Sequence, residues 1–304
     1  MDLKSKDFFT DPIFNLSKKD YTILARSYFT HHSGNVKGWY ASEVTKLVKQ
    51  DPSKWDILKD NGFIVDGKIN FPTYKVNDLG FRCSTDWSSG KKGAIFLGCS
   101  DLFGIGNHLK DTAAEIVSKE LGVENYNLSI PGGGLDQAYR VLKYHIKNIN
   151  AEFVFLFITE PSRREYFTDK TSVLVSPASF NKYSTTRKQL GDYFSADKLE
   201  DLYFKLQCEP KYLFMETNKS LDAIKYVCKE NNMKLITVKN PVYYTNKESI
   251  NLKFNTQKGV YGKRYDLGCD LVHRGKVFQK EVAKYFMKKL WVTIFLPIFK
   301  YINF

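Results

Sequence analysis

Three places in the sequence carry groups that could do chemistry together. Ser100 stands in Gly98-Cys99-Ser100-Asp101, directly after the short apolar run 94–97. Gly132, Gly133 and Gly134 follow a second apolar stretch, and Asp270 precedes His273 by three residues near the C-terminal end. A hydroxyl on a tight turn between strand and helix is lifted clear of the sheet edge, beside the N–H groups of the oncoming helix. It becomes a nucleophile when a base takes its proton, and those N–H groups can hold a developing oxyanion. A carboxylate three residues before a histidine, in a turn entering a helix, can accept the Nδ1–H bond. That fixes the tautomer and leaves Nε2 as the base. Bare glycine backbone lets N–H groups approach a ligand closely. Each place also has an ordinary reading on its own: a serine N-cap, a flexible glycine turn, a surface turn. Cys99, just before the serine, is expected to point the other way, into the core.

The elements that must position these groups follow from periodicity. Residues 94–97, 126–130, 153–159 and 233–238 read as strands, and 153–159 is apolar on both faces, as a central parallel strand should be. Residues 107–121, 137–148, 221–230 and 275–289 read as helices. Glu160-Pro161-Ser162-Arg163 follows the central strand's carboxyl end, where open α/β sheets place their sites. The polar stretch 168–217 reads as an insertion or lid, loop plus a helix near 196–206. Residues 1–70 read as a helical extension, with helices at 18–28, at 41–48 and around 55–58; it carries no evident chemistry and serves as a cap or docking element. His31-His32 reads as a surface loop, because no further ligand has suitable spacing. The main domain is expected over 71–289, with an apolar tail, 290–304. The tail's apolar core is about half the roughly 20 residues of a membrane span, and Pro297 is expected to break it. Packing on the body, a subunit contact and a membrane interface are its expected roles, in that order.

Composition narrows the classes. The 304 residues are 43% hydrophobic and 15% aromatic, enough for a sizeable core and against disorder. The net charge of +13 suits an anionic partner such as a charged glycan, a membrane surface or a nucleic acid, although no nucleic-acid motif is present. The five cysteines, Cys83, Cys99, Cys208, Cys228 and Cys269, show no CxxC spacing. They read as free thiols in a reducing compartment, without a zinc site. The N-terminal MDLKSKDFF has no apolar signal region, so a cytoplasmic location is expected.

Together these features resemble the SGNH/GDSL hydrolase family: a Gly-x-Ser turn after the first strand, a glycine loop after the second, and Asp-x-x-His near the end. The lead-in Asn77-Asp78-Leu79-Gly80-Phe81-Arg82 and the run Ser100-Asp101-Leu102-Phe103-Gly104-Ile105-Gly106 look like members with Asn-x-x-Gly-Phe-Arg before Gly-Asp-Ser-x-Thr-x-Gly. The similarity covers about residues 74–160 and 230–288. It implies a three-layer α/β/α sandwich with a flavodoxin-like parallel sheet. It implies Ser100 as nucleophile, His273 as base and Asp270 as its orienting partner. The Ser100 N–H and that of Gly133 or Gly134 would line the oxyanion hole. No metal or cofactor is implied. Two positions depart from the family: Cys99 replaces its Asp, and the third block, normally Gly-x-Asn-Asp, reads Thr159-Glu160-Pro161-Ser162-Arg163. Ser162 or Arg163 could fill the place of the missing Asn, or the segment could contact substrate with no oxyanion role. The implied activity is a serine esterase or acylhydrolase, with acetyl esters on a glycan as the favoured substrate. The alternative is a module that keeps the fold and binds without catalysis.

Overall fold

The computed structural model describes residues 34–37, 40–77, 79–83, 90–167, 172–180, 196–240 and 266–299. The expected helix at 18–28, His31-His32 and the polar loop beyond residue 240 lie outside these. At the centre is a four-stranded, fully parallel sheet: β1 (Gly93–Leu97), β2 (Glu124–Asn127), β3 (Ala151–Ile158) and β4 (Lys234–Lys239). Its spatial order is β2-β1-β3-β4, so the winding reverses between β1 and β3, and the carboxyl ends of those two strands open a crevice. The helices around it are α1 (Ser100–Phe103), α2 (Ala113–Leu121), α3 (Leu135–His145), α4 (Pro210–Glu230) and α5 (Lys276–Phe299).

Side-chain alternation along the strands builds the three layers. Ile95 and Leu97 of β1, with Val154, Leu156 and Ile158 of β3, pack toward Val141 and Leu142 of α3 and Ile224 and Val227 of α4. Ala94, Phe96, Phe153, Phe155 and Phe157 face the other way, against α2 and against Phe278, Val282 and Phe286 of α5. Phe96 and Phe155 stack across β1 and β3 at 5.1 Å between centroids. The fold is thus α/β, a parallel sheet between two helical layers.

Several boundaries differ from the sequence reading, each for a local reason. The helix expected over 107–121 starts at Ala113. Gly104 and Gly106, with φ of 81° and 76°, take the chain out of α1, and the hydroxyl of Thr112 caps α2 by accepting from Glu115 N. The second strand, expected over 126–130, spans Glu124–Asn127, but Leu128 N and Ile130 N still donate to Phe96 O and Gly98 O, so the chain follows β1 to Ile130. The stretch 168–217 is only partly an insertion. Within it Ser172–Val175 pairs antiparallel with Arg164–Phe167, and Ala196–Leu202 is helical. Its last residues belong to the sandwich, because Pro210 at the helix start and the Glu209 carboxylate, accepting from Lys211 N and Tyr212 N, begin α4 there. Residues 290–299 are not a separate tail. α5 continues through Leu290, which is buried, and Pro297 sits in its last turn without breaking it.

The N-terminal segment is tied to the body. Gly34–Lys37 pairs with Thr73–Val76, across the expected boundary at residue 70. Helices Ala41–Gln50 and Ser53–Asp60 place Val44 and Leu58 against Phe63 and Cys269. The Asn77 carboxamide accepts from Leu79 N and Phe81 N, and Gly80 adopts φ 84°. That turn drives Phe81 into the core and delivers Arg82, 1% exposed, to the loop after α1. The Arg82 guanidinium donates to Phe103 O, Gly104 O and Asn107 O and lies 4.4 Å from the Tyr74 ring centroid. Burial pulls its pKa down to about 10, so it remains charged at neutral pH. Arg82→Ala strands those buried carbonyls and should cost about 2–4 kcal/mol in urea unfolding. A loss under about 0.5 kcal/mol, typical of surface changes, would show that the loop does not depend on it.

Candidate active site

Ser100 opens α1 immediately after β1, Gly98 and the extended Cys99. The Ser100 carbonyl accepts from Gly104 N and Ile105 N, closing a short helical turn. Neighbouring elements clamp that turn. Asn127 Nδ2 donates to Leu102 O, Gln279 Nε2 of α5 donates to Asp101 O at 2.7 Å, and Gly106 N donates to Tyr74 Oη. Gln279 Oε1 also accepts from Ala113 N, so one side chain of the last helix ties α1 to the start of α2. No hydrogen-bond partner for the Ser100 hydroxyl occurs among the described residues.

The Asp-x-x-His turn is docked directly on this loop. Cys269 N donates to Gly106 O at 2.7 Å, and Asn107 Nδ2 donates to Arg274 O. A Cβ on Gly106 would fall 2.5 Å from Asp270 Oδ1, so only glycine lets the carboxylate lie there. Asp270 Oδ1 accepts from His273 N at 3.1 Å, with Leu271 at φ 58° making the bend. His273 Nδ1 lies 2.5 Å from Asp270 Oδ2. With Nδ1–H donated to the carboxylate, Nε2 is the available base; this tautomer follows from the bond. Asp270 is nearly fully buried, and His273 retains partial exposure. Asp266 then caps α5 by accepting from Val277 N and Phe278 N.

A second bridge joins the two turns and was not read from the sequence. Arg274 Nη1 donates to Asp101 Oδ2 at 2.7 Å, and Asn240 Nδ2, at the end of β4, donates to the same oxygen at 3.0 Å. Asp101 and Arg274 are the immediate neighbours of Ser100 and His273, so their ion pair sets the spacing of the two turns. Adjacency to the motif residues was the only signal of this pair in the sequence, and the Asn240 contact has a separation of 139 residues.

The five oxyanion candidates fare differently. Ser100 N and Gly134 N have no partner among the described residues. Gly134 caps α3, and a Cβ there would meet Arg163 O at 2.5 Å. Gly133 N instead donates to Ile130 O, closing the turn, and is thereby occupied. The Ser162 hydroxyl is fully buried and donates to Glu160 Oε1, and Ser162 O accepts from Tyr203 Oη, so this side chain faces the protein. Arg163 Nε donates to the other Glu160 oxygen, and its charge acts on the Cys99 thiol. Glu160 therefore holds both residues, at the carboxyl end of β3. Gln137, in the first turn of α3, lies fully buried against Gly133, and neither atom of its amide has a partner among the described residues.

Cys99 points into the core at 1% exposure, and burial raises its thiol pKa. That suits a packing residue, since the thiolate is the reactive form. All five cysteines are buried and unbridged. No group of three or more His, Cys, Asp or Glu among the described residues could hold a metal ion.

The N-terminal segment roofs the base turn. Leu271 packs partly against the cluster of Val44, Leu58, Phe63 and Cys269. Tyr40, at φ 95°, lines a small cavity with Tyr74, Gly106 and Asp270, and burial together with the Asp270 charge raises its phenol pKa.

No protein-family profile matches the chain, and no curated protein sequence matches it. Among solved structures, the chain is similar to a GDSL-like lipase from Bacteroides thetaiotaomicron at 13% identity and a TM-score of 0.29, over 66% of this chain and 87% of that one. It is similar to an acetyl xylan esterase at 16% identity and a TM-score of 0.27, over 67% and 99%. A third is a mutant acetyl-xylooligosaccharide esterase from Geobacillus, at 14% identity and a TM-score of 0.29, over 68% and 96%. Likeness at this level adds nothing to the site, which stands on its own geometry.

Because every thiol is buried, the folded protein should take up essentially no iodoacetamide at neutral pH, and the denatured protein should take up five equivalents. Rapid native alkylation mapped to Cys99 would mean that the turn presents the thiol, not the hydroxyl.

Proposed function

We propose that this protein is a serine ester hydrolase working through an acyl-enzyme at Ser100. The observation that carries the reading is the Asp270–His273 hydrogen bond in a turn docked, through Gly106, on the loop that follows Ser100. His273 Nε2 takes the Ser100 proton as the oxygen attacks the ester carbonyl. The Ser100 and Gly134 N–H groups receive the oxyanion. His273 then protonates the departing alcohol and activates the water that releases the acid. This chemistry requires no cofactor. A small acyl group on an anionic glycan, such as an acetyl ester, is the substrate we favour, supported by the net charge of +13.

One observation favours a second reading, a non-catalytic binding module. Gly133 N and the Ser162 hydroxyl are both committed elsewhere, and the third-block Asn is missing. One lost donor costs on the order of a hundredfold in rate, which slows such an enzyme without abolishing it.

p-Nitrophenyl acetate, butyrate and longer esters distinguish the two. Hydrolysis should favour acetate and fall at least about a thousandfold in Ser100→Ala and His273→Ala. Asp270→Asn should lower kcat with little change in KM. Turnover that survives Ser100→Ala, or no turnover of any ester, would defeat the hydrolase reading.

A further inference from the structure

We propose that the outward face of α5 binds anionic membrane surfaces, lying in the interface and not spanning it. Between residues 276 and 294, α5 has a buried side and an exposed side. Phe278, Val282, Phe286, Met287 and Leu290 are buried against the sheet. Spacings of four, four and three residues align Lys280, Lys284, Lys288 and Trp291 on the opposite stripe, where all four are exposed. Tyr285, Trp291 and Val292 on that face are 53%, 55% and 45% exposed. The lysines make no ion pair among the described residues. From Lys280 to Phe304 the chain carries five lysines, Lys280, Lys284, Lys288, Lys289 and Lys300, against one acidic residue, Glu281.

This combination selects its partner. Exposed aromatic and aliphatic side chains gain by leaving water, and a lysine row beside them lowers its energy next to negative headgroups. Lysine stems lie along apolar surface while their ammonium groups reach the phosphates. A second copy of the chain would place the same lysine row against itself, which like-charge repulsion opposes. No described helix is long and apolar enough to cross a membrane, so the arrangement fits an interfacial element. The inference is independent of the chemistry at Ser100.

The test is co-sedimentation of the full chain with vesicles of phosphatidylcholine alone or mixed with phosphatidylglycerol. Binding should appear with the anionic vesicles, with a blue shift in tryptophan emission that Trp291→Phe removes. It should fall on the order of tenfold or more between about 0.1 and 0.5 M salt. Lys284→Glu with Lys288→Glu should reduce it similarly while leaving the thermal midpoint unchanged; Ser100→Ala should bind like the parent. Any of three results overturns the proposal: no binding to anionic vesicles, equal binding by the double variant, or a concentration-dependent dimer that buries Trp291.

Discussion

Asp270 reaches its position because Gly106 has no side chain. The carboxylate oxygen lies only 2.5 Å from where a Cβ would stand, and the Gly106 carbonyl accepts from Cys269 beside it. A loop near the start of the domain and a turn near its end, far apart in sequence, are thereby joined by direct backbone contact. The positive φ of Gly106 makes the same demand a second time, since L side chains rarely adopt it. The parallel sheet makes this meeting available. The reversal of winding between β1 and β3 opens the crevice, and the histidine turn that precedes α5 docks on the loop that follows β1 and α1.

Around that contact the protein holds the turns with buried polar bonds. Arg82 satisfies the carbonyls left open where α1 ends, Gln279 bridges α1 to α2, and the Asp101–Arg274 pair sets the distance between the turns. Arg82 and Gln279 are buried and the Asp101–Arg274 pair is part-buried, where a lost partner costs more than a surface bond contributes. The N-terminal segment extends the same construction. Its helices cover Cys269 from outside, and Tyr74 accepts from Gly106, so a stretch without chemistry of its own supports the turn that holds the base.

Much of this was legible in the sequence. The apolar runs marked three of the four strands closely, and the both-face apolar run 153–159 together with the family resemblance pointed to a parallel sheet, while Glu124–Asn127 carries too many polar residues to stand out. Gly98-Cys99-Ser100 and Asp270-x-x-His273 each have an ordinary reading alone, and only their combination, a serine after the first strand and an Asp-x-x-His near the end, singled out the two turns. The contacts that fasten the turns were hidden, since Asn240 to Asp101 and Gln279 to Ala113 are long-range pairs of ordinary surface residue types. The third block misled in part. Ser162 was a reasonable stand-in for the missing Asn by position, but a neighbouring carboxylate, Glu160, turns its hydroxyl inward. Pro297 suggested a helix end that tertiary packing of Leu290 and Ile294 overrode.

Fluorophosphonate labelling reads the activation of Ser100 most directly, because an unactivated serine hydroxyl is essentially inert to the reagent. The measurement is the labelling rate at the peptide containing Ser100, followed by mass spectrometry in the parent, Ser100→Ala, His273→Ala and Gly106→Ala. The docked turn predicts clean labelling of the parent, none in Ser100→Ala, and at least about a tenfold slower rate in both His273→Ala and folded Gly106→Ala. An unlabelled parent would contradict the account, and so would Gly106→Ala labelled at the parent's rate.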